Sequence, residues 1–174
     1  MGCYNSLMMY TIVSGTNRLN SNTIRVAEQY QRLLQSKGIE AKIVSLVGLN
    51  VLERNPEYQK IEAEMLIPAK KFIFVSPEYN GSIPGVLKAM FDISDISKAW
   101  WGKKALLVGV STGRAGNLRG MDHLTGILHF LKVIVHHNKL PISIVDKISD
   151  RDGVIIDQYT LKAIETQVDE FIDF

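Results

Sequence analysis

Short apolar runs recur along the chain, each bounded by glycine, proline or clustered polar residues. Residues 8–13, 41–44, 72–76 and 105–110 are four of them, too short for helices and rich in β-branched or aromatic side chains, and they read as strands. The run 105–110 is apolar on both alternating faces and so predicts a strand covered on both sides. A fifth strand is expected in two pieces, at 133–135 and 142–145. Between these runs the apolar period lengthens to that of a helix. The first helix is expected over 22–37, with Ile24, Ala27, Tyr30, Leu33 and Leu34 inward and Gly38 as its C-terminal cap. Others are predicted over 56–66, 84–98, 118–131 and 158–172, with Pro56 and Pro84 opening theirs. Strand and helix alternate five times, which predicts an α/β fold: a parallel sheet with helices on both faces. No repeat, linker or low-complexity tract divides the chain, and its 174 residues suit one domain.

In such a sheet every strand-to-helix loop emerges at the same edge, where ligands of open α/β folds sit. Three of these loops are long and rich in Gly, Ser, Thr and Asn. The first, 14–23, carries Thr16, Arg18, Ser21, Asn22 and Thr23, and no carboxylate precedes Glu28. A helix start bare of acid, beside hydroxyls and a guanidinium, is suited to an anion. The plain alternative is that Ser21 or Asn20 only caps the helix. The second loop, Pro77, Glu78, Tyr79, Asn80, Gly81 and Ser82, follows the strand 72–76 and offers main-chain groups to a flat polar heterocycle. The third, 111–117, holds Ser111 and Gly113, and its small residues permit close backbone approach.

Composition narrows the chemistry. A net charge of +2 is too small to argue for nucleic acid or a membrane surface. Cys3 is the one cysteine, which excludes an internal disulfide and cysteine-built metal clusters and makes a reducing, cytoplasmic setting the default. Residues 1–6 fit a short N-myristoylation pattern with Cys3 placed for a second acyl chain, a pattern often met by chance. Residues 109–113 match the G-x-S-x-G nucleophile elbow, yet no acid and histidine follow at suitable positions for a Ser111 hydrolase. Adjacent His136 and His137 are expected to point apart and lack an evident third ligand. Residues 150–153 resemble a calcium loop, but ligating residues are missing from its first and last positions, so a turn is expected. Neither G-x-G-x-x-G nor a Walker A motif occurs.

With these residues in view, the chain resembles the NADPH-dependent FMN reductases of flavodoxin-like fold, which include quinone, azo-dye and chromate reductases. Residues 15–23 resemble the family's phosphate loop, residues 77–85 match its flavin-ring loop P-E-Y-N-G-S-I-P-G without a change, and Ser111, Thr112, Gly113 and Gly116 are similar to its third loop. The resemblance implies a three-layer sandwich with five parallel strands in the order 2-1-3-4-5. It implies that Thr16, Arg18, Ser21, Asn22 and Thr23 hold the FMN phosphate. Pro77, Glu78, Tyr79, Asn80, Gly81 and Ser82 would line the isoalloxazine, and Ser111 and Gly113 would border it. The implied activity passes hydride from NAD(P)H through bound FMN to a small acceptor such as a quinone, azo compound, metal oxyanion or free flavin. Cofactor chemistry of this kind needs no side-chain acid–base pair, and none is seen. A flavin-binding electron carrier without turnover is the alternative, disfavoured because such carriers are usually strongly acidic. One departure is Ile93, where family members often have tryptophan. Apolar positions on more than one face of the helices after Pro84 and Asn117 suggest a homodimer or homotetramer, as does the resemblance.

Overall fold

The computed structural model describes residues 9–174. Five parallel strand positions form one sheet in the order 2-1-3-4-5, with the fifth position built from two short strands. The elements run β1 (Tyr10–Ser14), α1 (Asn22–Ser36), β2 (Ala41–Ser45), α2 (Pro56–Ile61), a π-helical turn (Glu62–Leu66), β3 (Lys71–Pro77), α3 (Gly85–Ile93), α4 (Ile96–Ala99), β4 (Lys104–Val110), α5 (Leu118–Phe130), β5 (Ile134–Val135), β6 (Leu140–Ile142) and α6 (Gln158–Asp173).

The period-2 alternation of the strands divides the core into two halves. From β3, Phe72 and Phe74 enter one half with Leu87, Met90, Phe91 and Trp100. Ile73 and Val75 enter the other with Val26, Tyr30, Val168 and Phe171. Helices α1 and α6 therefore cover one face of the sheet, and α2 to α5 cover the other. The second face centres on aromatic packing, with Trp100 at 5.1 Å from both Phe72 and Phe91. Gln167 of α6 is fully buried and cross-braces the first face. It accepts from the Tyr30 hydroxyl at 2.6 Å and donates to Leu107 O and Asn138 O.

Several local expectations are corrected. Pro84 is the N-cap residue, with ψ 140°, and the helix begins at Gly85. The single helix expected over 84–98 breaks at Ser94, whose extended backbone is held by Oγ bonds to Met90 O and the Tyr58 hydroxyl. Asp95 then caps a separate short helix. The second helix ends at Ile61 and continues as a π-turn. Strand β3 runs two residues longer than expected. β6 is Leu140–Ile142 rather than 142–145, pairing with Val108–Val110, while β5 pairs with Lys104 and Ala105. Residues 150–153 do form a turn, closed by Gly153 N–H donating to Asp150 O with Gly153 at φ 80°. The lipidation pattern at 1–6 and Met8 of the first expected strand lie outside the described residues. Among the described residues no helix is long and apolar enough to cross a membrane.

Candidate functional site

The loops after β1, β3 and β4 meet at the C-terminal edge of the sheet and enclose a cleft of about 430 Å³, with the loop after β6 contributing Val145. That volume lies within the range of small-molecule sites, about 300–1,000 Å³. Arg18, Ser21, Asn22, Thr23, Pro77, Glu78, Tyr79, Ser111 and Gly113 all line it. Thr16, Asn80, Gly81 and Ser82 stand off the wall.

Loop one leaves β1 pinned to its neighbour, because the Gly15 amide donates to Val75 O at 2.8 Å. A side chain at Gly15 would come within 2.9 Å of Leu87 Cδ2 and 3.2 Å of Val75 O, so the close approach of β1 to β3 leaves little space for one. Ser21 is the N-cap of α1, accepting from the Ile24 amide at 3.3 Å, and the first turn holds no acid. The positive end of a 15-residue helix thus opens on the cleft without a carboxylate to complement it. Thr16 is fully buried and works one layer back. Its hydroxyl bonds the Tyr79 hydroxyl at 2.5 Å and accepts from the Arg18 amide at 3.2 Å. The Arg18 guanidinium in turn lies 4.2 Å above the Tyr79 ring. Tyr79 therefore bridges the first two loops and supports the cationic group of the cleft. Arg18 and Arg114 against Glu78 leave the charged side chains of the wall with one excess positive charge.

Loop two is a tight hairpin turn. Tyr79 and Ser82 exchange both backbone bonds, at 2.9 and 3.2 Å, across Asn80 and Gly81, which have φ of 53° and 80°. Positive φ at both central residues is the type I′ geometry that selects Asn-Gly. Fewer of the loop's main-chain groups are therefore free for a ligand than the sequence reading supposed. The Tyr79 and Ser82 amides are spent on each other, and those of Asn80 and Gly81 have no partner among the described residues. The Ser82 hydroxyl faces the opposite way, bonding His123 Nδ1 at 2.8 Å beside a second cavity.

Loop three explains the nucleophile-elbow match. A side chain at Gly109 would meet Gly116 O at 2.0 Å, because the loop folds back over β4. Gly116 and Asn117 take positive φ before α5 starts, and Asn117 Nδ2 donates to Ser76 O at 2.8 Å, tying loop three to β3. Ser111 Oγ donates to Gly113 O and accepts from the Gly116 amide. No histidine bonds Ser111 among the described residues, so its hydroxyl organises the loop. The two glycines of the motif have packing and loop-fold roles.

His136 and His137 do not point apart. Their ring centroids are 4.4 Å from each other, beside Ala105 and towards the other end of β4 from the cleft. Residues of the cleft that had no ligand-binding role in the sequence reading include Leu19, Thr112 and Val145. Leu19 and Thr112 lay inside the recognised loops. Val145 carried no local signal; the bond from its amide to Ser111 O at 3.1 Å brings it there.

The chain is 28% identical over 169 residues to a 2-hydroxy-1,4-benzoquinone reductase from Burkholderia sp, covering 92% of each. It is 35% identical over 118 residues to a quinone reductase from Escherichia coli K12, covering 64% of this chain and 62% of the relative. Among solved structures, its fold is similar to that of FerB, a flavoenzyme NAD(P)H:acceptor oxidoreductase from Paracoccus denitrificans, with TM-score 0.76, 20% identity and coverage of 95% and 96%. An apo NADH:FMN oxidoreductase, EMOB, superposes with TM-score 0.79 at 21% identity, over 94% of this chain and 88% of that one. The family model for NADPH-dependent FMN reductase matches residues 8–147, and the chain belongs to that family.

Proposed function

We propose that the protein is a cytoplasmic, FMN-dependent NAD(P)H oxidoreductase that reduces a small acceptor of the quinone type. The observation that carries this reading is the meeting of three loops on one 430 Å³ cleft with an acid-free helix start at one end. The donor set fits FMN. Arg18, the hydroxyls of Ser21 and Thr23 and the opening amides of α1 would hold the phosphate, the group that the bare helix end lacks. Tyr79, braced on Thr16, keeps Arg18 at that end. Pro77, Glu78 and the Asn80 and Gly81 amides would face the flavin's polar edge, with Ser111 and Gly113 bordering it. A side chain built at Gly113 meets nothing within 4 Å, which leaves room for a flat ring to lie close to that backbone. Bound FMN supplies the two-electron exchange between nicotinamide and acceptor; the protein binds and orients it.

A second copy of the chain would cover the cavity of about 730 Å³ between α3 and α5. Its wall is mainly apolar, including Phe91, Ile127 and a largely exposed Phe130, which supports a homodimer. Steady-state oxidation of NADPH with and without 1,4-benzoquinone tests the enzyme reading. Sustained quinone-dependent turnover is expected. Flavin that is reduced once and passes electrons only to protein partners would identify a carrier instead.

A further inference from the structure

Among the described residues one group of three potential metal ligands comes together, and it lies outside the cleft: His136, His137 and Glu170, whose ligand atoms all fall within 4.8 Å of one another. We infer that these three residues form a binding site for one zinc-class divalent cation, which fastens the β5–β6 connection to α6.

The site is built by both elements. His136 is buried, with its ring 4.9 Å from Phe174 and 5.9 Å from Phe171, and its amide donates to Ala105 O at 2.8 Å. His137 follows on the surface with its ring against that of His136. Glu170 arrives from α6 and is oriented by a hydrogen bond from Asn138 Nδ2 to its Oε2 at 2.7 Å. Asn138 O is held by buried Gln167, one turn earlier on the same helix. A ligand carboxylate is therefore positioned by an outer partner, which is itself anchored in the core.

Two imidazoles and a carboxylate suit late first-row divalent ions, and three protein ligands leave a place for water. Donors bound at about 2.1 Å to one ion lie no more than about 4.2 Å apart. A pair at the 4.8 Å limit must close by roughly half an ångström, a motion available to the exposed Glu170 side chain. The bond that must yield is the long one from the Asn138 amide to His136 Nδ1, at 3.3 Å. Nearby cations are already engaged: Lys71 Nζ donates to Phe171 O and Ile172 O, and Lys104 Nζ donates to Phe174 O.

The test is titration of untagged, chelator-stripped full chain with zinc chloride, followed calorimetrically and by histidine NMR. One equivalent should bind saturably, shifting His136 and His137 resonances and leaving those of His123 and His129 in place. Since losing even an outer-shell partner typically costs 10–100-fold in affinity, His137→Ala and Glu170→Gln should each weaken binding at least tenfold. Both residues are exposed, so the variants keep the fold, which circular dichroism checks. His129→Ala should bind as the parent does. Absence of saturable binding, or binding equal in the parent and both ligand variants, overturns the site.

Discussion

Gly109→Ala is expected to damage the protein far more than its size suggests, and to do so through the loop that walls the cleft. In β4 an added methyl would stand 2.0 Å from Gly116 O and 3.1 Å from Asn117 Cβ. The first obstacle is backbone, so relief requires shifting loop three or the strand by more than an ångström. Neither moves freely: Asn117 is bound to Ser76 O, and β4 pairs with β3 across seven residues. Overpacking of this kind costs about 1–3 kcal/mol, and an immovable carbonyl puts this site at the upper end. For a domain of this length that amounts to roughly 6–12 °C in Tm. Gly113→Ala is the matched control, since its methyl meets nothing within 4 Å and should change stability by less than about 0.5 kcal/mol. Urea unfolding of both variants without flavin measures the difference, and FMN fluorescence quenching measures its effect on the cleft. FMN should bind more weakly to Gly109→Ala than to the parent; Gly113, which lines the cleft, serves as a control for stability alone. If Gly109→Ala unfolds at the parent midpoint and binds FMN equally well, the packing explanation of the G-x-S-x-G match is wrong.

Other expectations are as direct. Gln167→Leu strands the Tyr30 hydroxyl and the carbonyls of Leu107 and Asn138, each unmade bond costing about 1–3 kcal/mol; urea unfolding should show a loss of at least about 3 kcal/mol. Tyr79→Ala removes the surface under Arg18 and should weaken FMN binding several-fold by titration, whereas Tyr79→Phe keeps the ring and should lose less. Lys103 is held down to about 8 by burial, with the charge of Lys70 adding, while its Nζ donates to Leu66 O and Ile67 O. The unfolded chain keeps that proton up to about 10.4, so this residue makes stability rise with pH between the two values. From pH 8 to 9.5 the parent should gain about 1.5 kcal/mol relative to Lys103→Met, and a flat difference would show that burial does not set this amine.

Much of the fold was legible because strands covered on both faces and amphipathic helices leave different periods in the sequence. The order of the sheet came from the family resemblance, and the register in the structure agrees with it. Features set by contacts far along the chain were not legible. The helix break at Ser94 depends on a hydroxyl bond to Tyr58, 36 residues earlier. Glu170 reaches His137 only because α6 packs beside the β5–β6 edge. In the cleft, residue types were readable and their aims were not. Thr16 was marked for an anion by its hydroxyl, yet Tyr79, 63 residues away, takes that hydroxyl. The loop over residues 77–82 was legible as a source of main-chain groups, but the exchange of bonds between Tyr79 and Ser82 that consumes two amides became visible only in three dimensions.

The most direct measurement is the stoichiometry and affinity of FMN for the purified protein, compared between the parent and Arg18→Ala. One FMN per chain is expected. Charge-assisted hydrogen bonds contribute about 1.5–3 kcal/mol, so the variant should bind roughly 10–150-fold more weakly while folding normally. A parent protein that folds but takes up no FMN, or an Arg18→Ala variant that binds it as tightly as the parent, would contradict the assignment of this cleft.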